Sequence, residues 1–387
     1  MSGLQVDIVG VDALGEADWA DWRAMQASNP ALDSPYFRPE FTQIAGRISP
    51  RAAVAVFRRE GRTVGYFPHQ RRGGSAQPLA APMNDYHGVI ARPGEAPSLE
   101  AVAAALGAPR LNVGAWVGSA ADAEGVGEAR RTVQVALGED GYDGWYAERR
   151  ASQGKFFKDK ERARRSMEAE LGPLRVEFGL RDAALLDWLI ALKRDQYRRT
   201  GRHDIFACGW TVELLHALMA ADADDFGASI AALWAGERLV AAEFSLHAGD
   251  QCHFWFPGYE PTLARCSPGI LLSMDTMRLA SAQGLRTFDF GFEGEHYKKY
   301  FCNASRTVRE AVIVQPGMAA TVSQAALRAL DLAGRDRAER LRGSVRRRWA
   351  AIEACETTPV DRLRGAVQAA GAALAKTRRA SPRPVSA

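Results

Sequence analysis

The chain is 387 residues long, more than one hydrophobic core usually reaches before splitting, and its 47% hydrophobic and 25% charged residues exclude disordered and fibrous classes. Its net charge of +4 is uneven: from Gly317 onward there are 14 Lys and Arg against 6 Asp and Glu, a local +8, which leaves −4 on the preceding residues. Asp7, Asp12, Glu16 and Asp18 interrupt the opening segment, so no signal peptide is expected there, and no apolar run reaches about 18 residues; the expected location is the cytoplasm.

The first 150 residues predict a mixed α/β domain. Val6 to Val9 reads as a strand, Glu16 to Ala27 as a helix, and Ala52 to Phe57 with Thr63 to Phe67 as a hairpin turned at Glu60-Gly61. A helix over Leu99 to Leu106 and strands over Leu111 to Val117 and Thr132 to Leu137 follow. A long charged helix is expected from Lys155 to Glu170, ended by Gly172-Pro173.

A second α/β unit then begins, over 151–316. It predicts a strand at Leu174 to Phe178, helices at Ala183 to Arg199 and Thr211 to Ala221, and a meander of Ala228 to Ala235, Leu239 to His247 and Gln251 to Pro257. A helix from Pro268 to Gln283, a strand at Thr287 to Phe292, a short helix at Glu295 to Phe301 and a strand at Ala311 to Val314 complete it. The five cysteines are odd in number, scattered, and form no Cys-x-x-Cys pair, so reduced thiols are expected, with no metal site.

One segment carries ligand chemistry on its face. In Arg265-Cys266-Ser267-Pro268-Gly269-Ile270-Leu271-Leu272, Ser267 fits a helix N-cap and Pro268 the first helical position, while Gly269 has no side chain to obstruct a ligand. The unpaired amides of such a first turn bind anions, and Arg265 adds a formal charge; ordinary capping accounts for the same residues.

The chain resembles the GNAT superfamily, in particular the cellulose-biosynthesis (CelD-like) acetyltransferase group found in holdfast and other exopolysaccharide systems. The resemblance covers about residues 150 to 305. It rests on the charged helix ending in Arg164-Arg165, on Leu192-Lys193-Arg194-Asp195-Gln196-Tyr197, on Ser267-Pro268-Gly269 with Leu271-Leu272, and on Asp289-Phe290-Gly291 followed by Tyr297-Lys298. It implies a splayed sheet, two tandem GNAT-like domains, acetyl-CoA or another acyl-CoA beside the third long helix at Arg265, Ser267, Gly269, Ile270 and Leu271, and direct acyl transfer to an amine. The relatives imply an amino sugar or polysaccharide precursor as acceptor. Fem-type aminoacyltransferases share the architecture but draw on aminoacyl-tRNA; the −4 balance of the body argues against nucleic acid.

Amine transfer requires a base and groups that stabilise the oxyanion and leaving thiolate. Glu243, mid-strand in Ala241-Ala242-Glu243-Phe244-Ser245, is a candidate base if buried and a surface residue otherwise. Asp289 alternates with Phe288 and Phe290 and could face the cleft or solvent; analogy with the family favours the cleft. Tyr297 is a candidate acid for the thiolate, and Lys298 a candidate phosphate holder. His203-Asp204 lies in a loop between helices and offers a weaker catalytic candidate in His203 and a substrate contact in Asp204. Asn84-Asp85-Tyr86-His87-Gly88 is a polar loop that suits sugar stacking or a structured turn, which makes Asn84, Tyr86 and His87 substrate-binding candidates.

From 317 to 387 a basic tail is expected. Leu327, Leu330, Leu341, Val345, Trp349 and Ile352 mark an apolar helical stripe beside Arg342, Arg346, Arg347 and Arg348. Those arginines suit an anionic membrane surface or a phosphate-bearing nucleotide, and a helix docked on the body accounts for the stripe equally well. Holdfast-type relatives imply cyclic di-GMP as that nucleotide, and an idle GNAT-like module of the polysaccharide machinery, controlled through its tail by nucleotide or membrane, competes with an enzyme. Lys376 to Ala387 read as disordered.

Overall fold

The computed structural model of the chain describes residues 3–118, 127–221, 223–315, 347–356, 358 and 360–367. Its first half runs β1 (Leu4–Val9), α1 (Glu16–Ser28), α2 (Pro39–Ile48), β2 (Ala52–Arg59), β3 (Arg62–Arg72), β4 (Ser75–Pro78), α3 (Leu99–Leu106), β5 (Arg110–Trp116) and β6 (Glu128–Ala136). Helices α4 (Gly141–Ser152) and α5 (Gly154–Leu171) lead into the second half. That half runs β7 (Leu174–Leu180), α6 (Ala183–Thr200), α7 (Trp210–Met219), β8 (Phe226–Ala235), β9 (Arg238–Ala248), β10 (Gln251–Tyr259), α8 (Pro268–Ser281), β11 (Thr287–Phe292), α9 (Lys298–Phe301) and β12 (Ala304–Val314).

Local chemistry explains the element ends. The β2–β3 hairpin turns at Glu60 and Gly61, both at positive φ (52° and 77°), as a tight two-residue turn demands. Helix α3 starts where Ser98 accepts from the amide of Ala101 and stops at Gly107 in the left-handed region. Helix α6 is capped by Asp182, which accepts from the amides of Ala184 and Leu185, and stops at Gly201 in the same way.

The two halves repeat one order: a strand, two helices, three strands, a helix and two strands, with α9 inserted in the second. They form a single 12-stranded sheet in the order β1-β2-β3-β4-β5-β12-β6-β11-β10-β9-β8-β7. Each half thus lends its last strand to the other, because β12 pairs with β5 and β6 pairs with β11. The core is shared as well: Trp22, Met25 and Phe41 of the first half join Leu186, Leu215 and Phe244 of the second in one buried cluster. On the opposite face of β8 and β9, Ala231, Leu233 and Ala241 pack with Leu271 and Leu272 of α8.

Two places in this sheet matter for function. Strands β10 and β11 run parallel and pair only over Gln251, Cys252 and His253 with Thr287, Phe288 and Asp289; β10 then bulges between Phe254 and Phe256, and the strands part. The matching junction of the first half, β4 with β5, pairs only at Ser75 and Ala76 with Arg110 and Leu111. There the chain closes its own gap, since His87 donates its amide to Ala115 O at 2.9 Å and accepts from the Val117 amide at 2.6 Å.

Within the tail, residues 347–355 form a helix docked on the first half. Ile352 is buried, Arg110 donates to both carboxylate oxygens of Glu353 at 2.7 Å, and Arg72 and Gln77 donate to the carbonyls of Ala354 and Ala350. Arg342, Arg346 and the segment Lys376 to Ala387 lie outside the described residues. No helix among the described residues is long and apolar enough to cross a membrane.

Candidate active site

The parted strands lead to the start of α8. After β10 the chain makes a 3-10 turn over Pro261–Cys266, and Ser267 then takes a left-handed conformation with φ 53°. The sequence predicts a side-chain cap from Ser267, but this backbone turns its hydroxyl away from the helix amides. Its Oγ instead accepts from Nζ of Lys160, on α5, at 2.8 Å. Pro268 has no N–H and the amides of Ile270 and Leu271 bond to Ser267 O, so Gly269 supplies the leading amide of the turn. A side chain at Gly269 would meet the ring of Tyr259 at 3.4 Å.

Lys160, which the sequence reading passed over, therefore sits where an anion at this helix start would need a cation. Burial lowers its pKa. Arg265 is largely exposed and turned to α5, where it donates to both oxygens of Glu170 at 2.7 and 2.5 Å. The side chain of Leu271 is buried in the core under α8, and that of Ile270 packs against the cluster of Phe254, Met274 and Phe288. Their contribution to a ligand would come from backbone and hydrophobic contact alone.

Glu243 lies on β9 opposite Ala231 and Pro257, with its side chain under α8. It is 2% exposed and accepts from Ser273 Oγ at 3.2 Å. Burial pushes its pKa up to about 8, against the opposing pull of Ser273, His253, Lys298 and Lys193. A carboxyl group poised there takes a proton readily near neutral pH.

Lys298 and Tyr297 close the far side. The Lys298 ammonium donates to the carbonyls of Phe290 and Phe292, each at 2.7 Å, and pairs with Glu295 at 2.6 Å. It thus holds the open end of β11 in place. Tyr297 packs edge-on against Phe290 and Phe301; burial, then Glu243 and Glu295, raise its pKa so that the phenol keeps its proton. Lys193 on α6 donates to Pro257 O at 3.2 Å, and burial lowers its pKa to about 8.

Asp289 is buried and fully engaged. It accepts from the Tyr86 hydroxyl at 2.5 Å, Gln134 Nε2 at 3.0 Å and the Gly291 amide at 2.7 Å, and faces His253 Nδ1 at 3.6 Å. Burial alone would raise its pKa, but His253, Tyr86 and Gln134 outweigh it and hold the value at about 2. His253 in turn contacts Asp85 through Nε2 at 3.0 Å; burial disfavours its charged form, but Asp289 and Asp85 outweigh that and push its pKa up to about 9. The sequence signal for His253 was a lone basic residue among Cys252, Phe254, Trp255 and Phe256.

Of the remaining candidates, Asn84, His87 and Arg347 line one cavity, while His203 and Asp204 lie apart from it. Asn84 bonds within its own turn, to Leu79 O and the Tyr86 amide. His87 accepts from the amides of Gly114 and Ala115 and contacts Asn84 O, and burial lowers its pKa to about 4. Asp204 pairs with Arg194 at 2.9 Å rather than with its neighbour His203, which lies 3.6 Å from Glu356 of the tail. Arg347 pairs with buried Glu310 at 3.0 Å, and Arg348 also has a partner. No group of residues able to hold a metal ion occurs among the described residues.

Residues 154–299, from α5 into α9, match a family model described as an acetyltransferase (GNAT) domain. None of the curated proteins matches the chain in sequence. Three solved structures show its general resemblance to others. The C-terminal domain of a protein described as a lysylphosphatidylglycerol synthetase, from Agrobacterium fabrum, is 14% identical over 80% of this chain and 95% of its own, with a TM-score of 0.48. FemX is 12% identical over 76% and 94%, with a TM-score of 0.48. A tandem GNAT protein from the clavulanic acid biosynthesis pathway is 10% identical over 81% and 100%, with a TM-score of 0.46. At these values the three likenesses carry no argument about activity, and the assignment rests on the family match. Residues 154–299 thus form a GNAT acetyltransferase domain, which makes the chain an acyltransferase.

Proposed function

We propose that the second half transfers an acyl group, acetyl in the simplest case, from acyl-CoA to the amine of an amino sugar in an exopolysaccharide or holdfast precursor. The observation that carries the donor assignment is the parting of β10 and β11 beside a helix start furnished with Lys160 and Gly269. There the pyrophosphate would take the Gly269 amide and the Lys160 ammonium, and the thioester would lie between the strands. The first half is not the donor site, because its own segment at His87 fills the equivalent gap.

In the transfer, the neutral amine attacks the thioester carbonyl, its proton passes to Glu243, the C–S bond breaks, and the Tyr297 phenol protonates the departing thiolate. Lys298 keeps the end of β11 and the Tyr297 turn in position. The amino-sugar acceptor follows the CelD-like resemblance. Calorimetric titration with acetyl-CoA of the full chain and of Gly269→Glu tests the donor site. Loss of binding in the variant is expected, since the new carboxylate would face the phosphates; equal heats in both would overturn the assignment.

A further inference from the structure

A cavity of about 170 Å³ lies between residues 77–87, the middle of β5 and β12, and the docked helix 347–355. It reaches Phe292, the last residue of β11, past the point where β10 and β11 part. Phe292 packs with the core shared by both halves, whereas Phe290 packs with the cluster beneath α8. The cavity therefore approaches the parted strands from the face opposite the proposed donor.

The polar groups lining it are mostly satisfied. His87 has contacts at both ring nitrogens, and Asn112 donates to Glu353 at 3.4 Å. The charge of Glu310 is met by Arg130 at 3.3 Å and Arg347 at 3.0 Å. Asp85 differs: its side chain is 32% exposed, and only one carboxylate oxygen is taken by His253. His253 stands between Asp85 and Asp289, so one ring serves two carboxylates. Asp85 is the member of that trio that lines the cavity.

We infer that this cavity holds the acyl acceptor, a sugar-sized primary amine, whose ammonium form is received by Asp85 and releases one proton to water before the neutral amine attacks. The inference rests on the acyltransfer reading above and adds a location and a charge requirement to it. Helix 347–355 supplies one wall through Arg347, Ala350 and Ala351, so acceptor binding depends on the docked tail. An uncharged acylated product has no ammonium for Asp85 and is released.

The test is titration of the full chain, without donor, with glucosamine and with N-acetylglucosamine, followed by ligand-observed NMR. Glucosamine is expected to bind at least tenfold more tightly than its acetylated form, and Asp85→Asn to lose that preference. Gly114→Leu, which grows into the cavity from a position whose Cβ would lie 3.6 Å from the His87 ring, should weaken glucosamine binding while leaving Asp85 intact. Acetyl-CoA affinity should be unchanged in both variants, which also shows that they are folded. Failure of glucosamine to saturate the wild type, or wild-type binding by both variants, would overturn the inference. Loss of acetyl-CoA binding by the wild type would instead defeat the acyltransfer reading, independently of the amine titration.

Discussion

The Tyr86 hydroxyl donates to Asp289 Oδ2 at 2.5 Å, across 203 residues of sequence and between the two halves of the sheet. Each group satisfies the other, and the same carboxylate holds His253 in its charged form. This buried contact ties the loop that fills the first-half gap to the strand that lines the second-half gap.

The charged trio predicts how stability follows pH. The folded pKa of His253, about 9, lies above its ordinary 6.5, so its contribution is full below 6.5 and is lost as pH rises through 9. Urea unfolding should show a loss on the order of 3 kcal/mol between pH 6.5 and 10. A smaller loss is expected in His253→Gln, and equal slopes in the two proteins would remove the imidazolium from the account.

Glu243→Gln separates chemistry from stability. Removing the base should lower kcat by about 10²- to 10⁴-fold with acetyl-CoA affinity unchanged. The wild-type rate should climb through about pH 8 as Glu243 loses its proton, and the variant should lack that limb. Because the folded pKa lies above the ordinary 4.5, wild-type stability declines from pH 4.5 to 8, and the variant should escape that decline. A pH–rate profile and urea midpoints at pH 5 and 8 measure both effects.

Lys160→Ala should weaken acetyl-CoA binding by roughly tenfold at low ionic strength, the size of one charge-assisted hydrogen bond, and by less at 0.5 M salt. Titration at two salt concentrations gives the slope.

Lys298→Ala strips the donor from the carbonyls of Phe290 and Phe292. With each unpaired buried group costing about 1–3 kcal/mol, the variant should unfold at clearly lower urea, a change that loss of a solvent-facing lysine would not produce.

Much of the fold was legible because its signals are local. Glu60-Gly61 marks a hairpin by its need for positive φ, and Ser98 with Gly107 brackets α3 as cap and stop. The exchange of β6 and β12 between halves was not legible, since long-range pairing leaves no mark in the strand itself. In the site, Glu243 stood out as an acid among apolar neighbours. Lys160 did not, because it is one of many charges on α5 and only the turn of that helix against Ser267 distinguishes it. Asp204 and His203 adjoin in sequence yet bond elsewhere, to Arg194 and toward Glu356, which spacing alone does not reveal.

A crystal of the full chain soaked with acetyl-CoA tests the central claim most directly. The account predicts the pyrophosphate at the Ser267–Gly269 turn within hydrogen-bond reach of Lys160 Nζ, and the thioester between β10 and β11 on the Glu243 side. Acetyl-CoA bound at the start of α3 in the first half, with the β10–β11 opening empty, would contradict it.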